Sequence, residues 1–332
     1  MADAVETMAY TGALPWHGLG NAVSPDLTPD EMADAAGINW EVKALPVKAL
    51  NPETKKYSLP VEGFNIITRM SDHKTLGPCG PAWKPVQNTA ALDFFNKFTQ
   101  AGHMSMETAG SLDGGKHVWG LAKINKDIVL PGNDVVSGHL LLSNPHIWGK
   151  SMTIMFTPIR VVCMNTLMMA MNSGGQRFRH PHSVVWGPEQ AEKAEEALGL
   201  GMLLTERFEE NASKLAETIV DDNVIDLFLA KQMSPKSVTN LNLKKRTADV
   251  DSGALGRNFH IVRDLVKTQP GANLTSSEGT LWGAFNAVTY FYDHEYGKTA
   301  DTRMTSAWFG ANKINKMRAW EDALEFADAL AA

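Results

Sequence analysis

Two cysteines in 332 residues, Cys79 and Cys163, cannot build a disulfide framework, so a reducing compartment is expected. No apolar run approaches the ~20 residues that a membrane-spanning helix needs, which predicts a soluble chain with no membrane partner. The opening MADAVETMAYTGALPWHG lacks the basic start and apolar stretch of a secretory signal, and a cytoplasmic location is the expectation. Neither GxGxxG nor GxxxxGK[ST] occurs, which disfavours dinucleotide cofactors and P-loop hydrolysis. There is no Cys-x-x-Cys and no pair of carboxylates spaced for acid–base work. On these grounds no cofactor, no metal and no catalytic residue is assigned.

The most local absence is of acid. Between Asp134 and Glu189 not one carboxylate side chain occurs across 54 positions, while Lys150, Arg160, Arg177, Arg179 and four histidines fall inside. Two accounts are compatible: interior sheet and helix, where acids are rare, or a field kept positive for an anion. The overall charge of −6 is concentrated immediately afterwards, with eleven acids against four bases from 189 to 232. That stretch has the pattern of one or two acidic amphipathic helices with a solvated face.

What is present describes an α+β protein. Thr28, Pro29 and Glu31 form a capping box for a short helix that Gly37 ends. WEVKALPVKAL and GFNIITRM alternate as strands do, and Asn88 is expected to cap a helix through TAALDFFNKFTQ. MSMETAGSL and KHVWGLAKI, joined by Asp113-Gly114-Gly115, form a hairpin; GHLLLSN and SMTIMFT form a second pair. Thr157-Pro158 then opens an apolar helix, IRVVCMNTLMMAM, predicted to lie buried across the sheet. Further on, 234–257 reads as a linker or mobile loop carrying Lys244, Lys245 and Arg246. Two C-terminal helices follow, with stripes Trp282, Phe285, Val288 and Met317, Trp320, Leu324, Ala327. The expectation is an antiparallel sheet of hairpins backed by a buried helix and followed by a mainly helical C-terminal half. Its divisions are a core at 1–187, an acidic helical arm at 188–235, a basic loop at 236–275, and helices at 276–332 packing on the core.

The segment QRFRHPH, 176–182, carries the richest chemistry. As an extended strand, which Pro181 confines to an edge or an end, it places Arg177 and Arg179 on one face and Phe178 and His180 on the other. Cations beside flat rings are what a single strand of nucleic acid requires. His180 and His182 could chelate, but a zinc site needs further ligands that nothing obvious supplies; Cys163 sits in an apolar run suited to inert packing. Arg160, in the first turn of the expected helix, would face the positive helix end, which favours a nearby anion. Lys150, Arg160, Arg177 and Arg179 are therefore the expected phosphate contacts, with Phe178 and Trp148 for stacking.

ETMAYTGALPWHGLG, WKPVQN, AGSLDGGKHVWGLAKI, TPIRVVCMNTLMMAM, GTLWGAFNAVTYFYDH and AWFGANKINKMRAW resemble, in order along nearly the whole chain, the family labelled phage/plasmid-like protein. That resemblance implies a mobile-element gene in a bacterial or archaeal cytoplasm and carries no catalytic residues, since the family has no known function. The order of elements from 88 to 172 is also similar to the core of phage single-strand annealing proteins of the RecT/Redβ, Erf and Sak group. It implies a homo-oligomer with single-stranded DNA in a basic groove, annealing strands without ATP, with host or phage replication proteins as further partners. A nucleic-acid- or nucleotide-processing enzyme, and a structural or host-interaction protein, are the alternatives.

Overall fold

A computed structural model of the chain describes residues 5–12, 20–160, 165–166, 177–198, 201–299, 303, 306–308 and 310–331. In chain order these form β1 (Val5–Tyr10), β2 (Asn21–Ala22), α1 (Pro29–Ala35), β3 (Val42–Leu50), β4 (Tyr57–Arg69), β5 (Thr75–Cys79), α2 (Asn88–Leu92) and α3 (Asn96–Gln100). Then come β6 (Met104–Leu112), β7 (His117–Leu130), β8 (Asp134–Pro145), β9 (Ser151–Arg160), β10 (Asn165–Thr166) and β11 (Arg177–Pro181). The remainder is α4 (Pro188–Leu198), α5 (Gly201–Glu217), α6 (Asp222–Met233), β12 (Val238–Asn242), β13 (Thr247–Val250), α7 (Arg257–Thr268), α8 (Leu281–Tyr290) and α9 (Ala311–Ala331). The largest sheet runs β10-β9-β8-β7-β6-β1-β2 with β11 also on β9; β3-β4-β5 and β12-β13 are separate sheets. The fold is α+β with antiparallel sheets, the β1–β2 pair being parallel, and with a helical C-terminal region.

The chain divides into two compact units. The first comprises Met1–Asn125, His139–Phe156 and Gly175–Leu200. Here the β6–β7 hairpin turns through Asp113, Gly114 and Gly115, all at positive φ, the conformation glycine adopts without strain. Gly110 faces Trp119 across the pair, and the fully buried indole occupies the space a side chain at 110 would take. Leu92 and Phe95 lie over Gly120 of β7, so helix 88–100 covers this sheet. The capping box of α1 forms as its sequence predicts, and Gly37 at φ 64° follows its C-cap.

The second unit comprises Lys126–Gly138, Thr157–Gly174 and Gly201–Ala332. Helix α8 is mostly apolar and is buried at every position but its last, with Thr280 capping its first turn. Phe208 stacks on Trp320 at 5.2 Å, and Phe285 meets the same indole edge-on. Interior charge is matched. Asp134 accepts from Ser276 Oγ and Trp282 Nε1, and Lys316 pairs with Asp293 at 2.5 Å, both nearly inaccessible.

Several expectations need correction. The helix expected over 158–172 is strand where it is described: β9 continues through Pro158 to Arg160, and Asn165–Thr166 pairs back onto it. Pro158 is tolerated because β11 pairs with 151–155 and β10 with 159–160, so it falls between two ladders. Residues 161–164 and 167–176, Cys163 among them, lie outside the described residues. The expected linker holds the β12–β13 hairpin with Lys244, Lys245 and Arg246 at its turn, and α7 follows. The acidic stretch makes three helices. Asn88 is the first residue of its helix, Gln87 stands at the N-cap position without a side-chain cap bond, and the Asn88 side chain is turned inward. On α9 the buried stripe runs through Asn312, Lys316, Trp320, Ala323, Phe326 and Ala327; of the expected stripe Trp320 and Ala327 are inside, with Met317 and Leu324 at its margin.

Candidate nucleic-acid interface

A buried polar hub in the first unit fixes the loops from which the candidate site is made. Asn88 Nδ2 donates to the Ile38 carbonyl, while Asn88 Oδ1 accepts from Asn144 Nδ2 at 3.1 Å and from His146 Nε2 at 2.8 Å. Since that oxygen only accepts, Nε2 of His146 carries the proton, and the ring is neutral. Burial depresses the His146 pKa to about 3, with His182 and His117 adding to the shift; burial likewise takes His117 down to about 4. His182 Nδ1 donates to the Lys84 carbonyl, and the Lys84 amide returns a bond to the His182 carbonyl. Desolvation lowers His182 as well, against the pull of the Lys84 and Pro145 carbonyls.

These bonds bring together the loops 80–84, 148–151 and 181–183, which enclose a cavity of about 350 Å³. Trp83 and His182 stack at 4.9 Å along one part of its wall, and Trp148, Lys150, Ser151 and Ser183 supply others. Its lining contains no carboxylate. Trp148 is 53% exposed and stands beside Phe64, itself 48% exposed, so two open rings meet at this surface. Trp83 Nε1 and His182 Nε2 are shut off from solvent without a hydrogen-bond partner. Groups left so typically lose about 1–3 kcal/mol each, and they recur where a ligand or water completes the site.

β11 leads away from this cavity. Arg177, Arg179 and Pro181 form its exposed face, and Pro181 also lines the cavity. Two residues of strand cover roughly 7 Å, so the arginines follow the opening at regular steps. Both guanidinium groups, and the ammonium of Lys150, are exposed and form no ion pair with any described residue. The opposite face carries Phe178 and His180, with Trp186 packed against both.

The structure therefore places five of the six expected residues on one strand and its neighbouring loop, four of them exposed: Trp148, Lys150, Arg179 and Arg177. Phe178 shares the strand, but it is half-buried in the ring cluster, so the exposed stacking surface is Trp148. Arg160 belongs to the second unit and ends a strand, which removes the helix-end argument for an anion there. His180 and His182 do not form a chelate: His180 Nε2 takes the Val184 carbonyl and His182 the Lys84 carbonyl. Among the described residues no group of three or more His, Cys, Asp or Glu could hold a metal ion. Among its described residues the acid-free segment is mostly strand with many buried positions, and Lys150, Arg177 and Arg179 stand at exposed ones. Sequence reasoning missed Trp83 and Phe64. A tryptophan set in the Gly/Pro-rich GPCGPAWKP loop was the available signal, since such a loop has little core to offer an indole.

An α+β sheet protein with an acid-free, aromatic-walled recess at a basic strand is the class that this geometry defines. Residues 75–319 match the family described as Domain of unknown function (DUF932), and the chain belongs to that family. The match includes all of the cavity lining and β11, whereas Phe64 precedes it. No curated protein and no solved structure matches the chain. No helix among the described residues is long and apolar enough to cross a membrane.

Proposed function

We propose that this protein binds single-stranded DNA and acts in DNA metabolism of a phage or plasmid, in the cytoplasm of a bacterial or archaeal host. As a homo-oligomer it would anneal complementary strands without breaking a bond. The observation that carries the reading is the unneutralised row of Arg177 and Arg179 on the exposed face of β11, ending at a carboxylate-free recess that holds Lys150 and Trp148. Phosphates would follow the cations, and an unstacked base would lie on Trp148. The acidic helix α4 packs against β11, so the proposed strand path is the exposed face that carries Arg177 and Arg179. The resemblance to phage- and plasmid-borne proteins supports the mobile-element setting, and annealing rests on the order of elements alone.

Anisotropy of a labelled single-stranded oligonucleotide over a salt series tests this. Binding that weakens linearly in log salt, and that exceeds binding to the matching duplex, is the expected result. No binding at low salt, or equal binding to duplex, overturns it. Light scattering with and without DNA tests assembly, and a strict monomer in both states removes the annealing proposal.

A further inference from the structure

The recess beside Trp148 is more than a stretch of basic surface. Its volume of about 350 Å³ lies at the lower end of small-molecule sites. Trp148 and Phe64 meet edge-to-face with centroids 6.1 Å apart, so a flat ring on Trp148 has a second aromatic wall next to it. Lys150 supplies the cation, and no acid in the lining repels a phosphate. Two residues of the lining, Trp83 and His182, each bury a ring nitrogen, the donor Nε1–H and the acceptor Nε2, that has no hydrogen-bond partner. The acceptor role of Nε2 follows from the Nδ1 proton being committed to the Lys84 carbonyl.

We infer that this recess is a subsite for one nucleotide unit, with its ring on Trp148, its polar edge toward Trp83 and His182, and its phosphate on Lys150. The inference deepens the nucleic-acid reading and, for a nucleotide within a strand, rests on it. A free nucleotide has the same chemistry and is the other source. Because Trp83 Nε1 and His182 Nε2 are closed to solvent in the unliganded chain, occupancy includes a small opening of the lining.

The test compares three probes on the full chain: a labelled thymidine oligomer, an abasic oligomer of equal length and charge, and thymidine monophosphate as competitor. Stacking on one aromatic ring is worth about 5- to 150-fold in affinity. The base-bearing oligomer should thus bind at least about fivefold tighter than the abasic one. Trp148→Ala should abolish that ratio while leaving the salt slope unchanged, and Trp148→Phe should restore most of it. Equal affinity for both oligomers overturns the subsite and leaves the strand-binding reading standing. If only the mononucleotide binds, and Trp148→Ala weakens it, the subsite holds for a free nucleotide and the strand reading falls. If none of the three binds, both are overturned.

Discussion

His146 donates from Nε2 to the side-chain oxygen of Asn88 across 2.8 Å of fully buried space, and that bond ties helix 88–100 to the loop that presents Trp148 and Lys150. Replacing Asn88 by alanine removes the acceptor of His146 and of one Asn144 N–H, the other keeping the Val86 carbonyl, and the donor to the Ile38 carbonyl. The variant should lose about 2–4 kcal/mol of stability in urea titrations. A loss under about 0.5 kcal/mol, the range of ordinary surface substitutions, would mean that the hub does not hold these loops.

Stability should fall with acid before the carboxylates titrate. His146 and His117 have folded pKa values depressed to about 3 and about 4, below the ordinary 6.5. Between those values and 6.5 the unfolded chain binds more protons, so the neutral rings' contribution is complete above about pH 6.5 and is lost as pH drops. Each ring contributes a slope of about 1.4 kcal/mol per pH unit in that window. Denaturation midpoints measured at neutral pH and near pH 5 should differ accordingly, and a His146→Gln, His117→Gln double variant should show a shallower dependence. Identical midpoints at both pH values for the unmodified chain would show that these rings are not held neutral.

In the second unit, Lys316→Met leaves the Asp293 carboxylate inside without its 2.5 Å partner and should cost about 3–5 kcal/mol. Replacing Asp293 by leucine as well should cost less than the single change, because both desolvated charges are gone. A double variant that is worse than the single one would show that the pair is a net stabiliser. Differential scanning calorimetry of the three proteins decides it.

Much of the sheet was legible because its signals are local. The Asp113-Gly114-Gly115 turn, the Thr28 capping box and the alternation of QRFRHPH each depend on residues within a few positions of one another. The stretch after Thr157 was misread because Thr-Pro before an apolar run opens a helix in isolation. Only the gap between the partners of β9, set by where the later strands β10 and β11 pair back onto it, makes Pro158 acceptable in a strand. The burial of Lys316 has no local signal, since Asp293 is brought to it only by folding. At the site, the spacing of Arg177 and Arg179 was visible, while the recess is assembled from three separate loops and has no contiguous signature.

The central claim is that Arg177 and Arg179 contact phosphates of a single strand, and the salt dependence of binding by the Arg177→Ala, Arg179→Ala double variant tests it most directly. Each phosphate contact on a single strand contributes about 0.7 to the slope of log affinity against log salt, so the double variant should bind more weakly with a slope smaller by about 1.4. An affinity and slope equal to those of the unmodified protein would contradict the account.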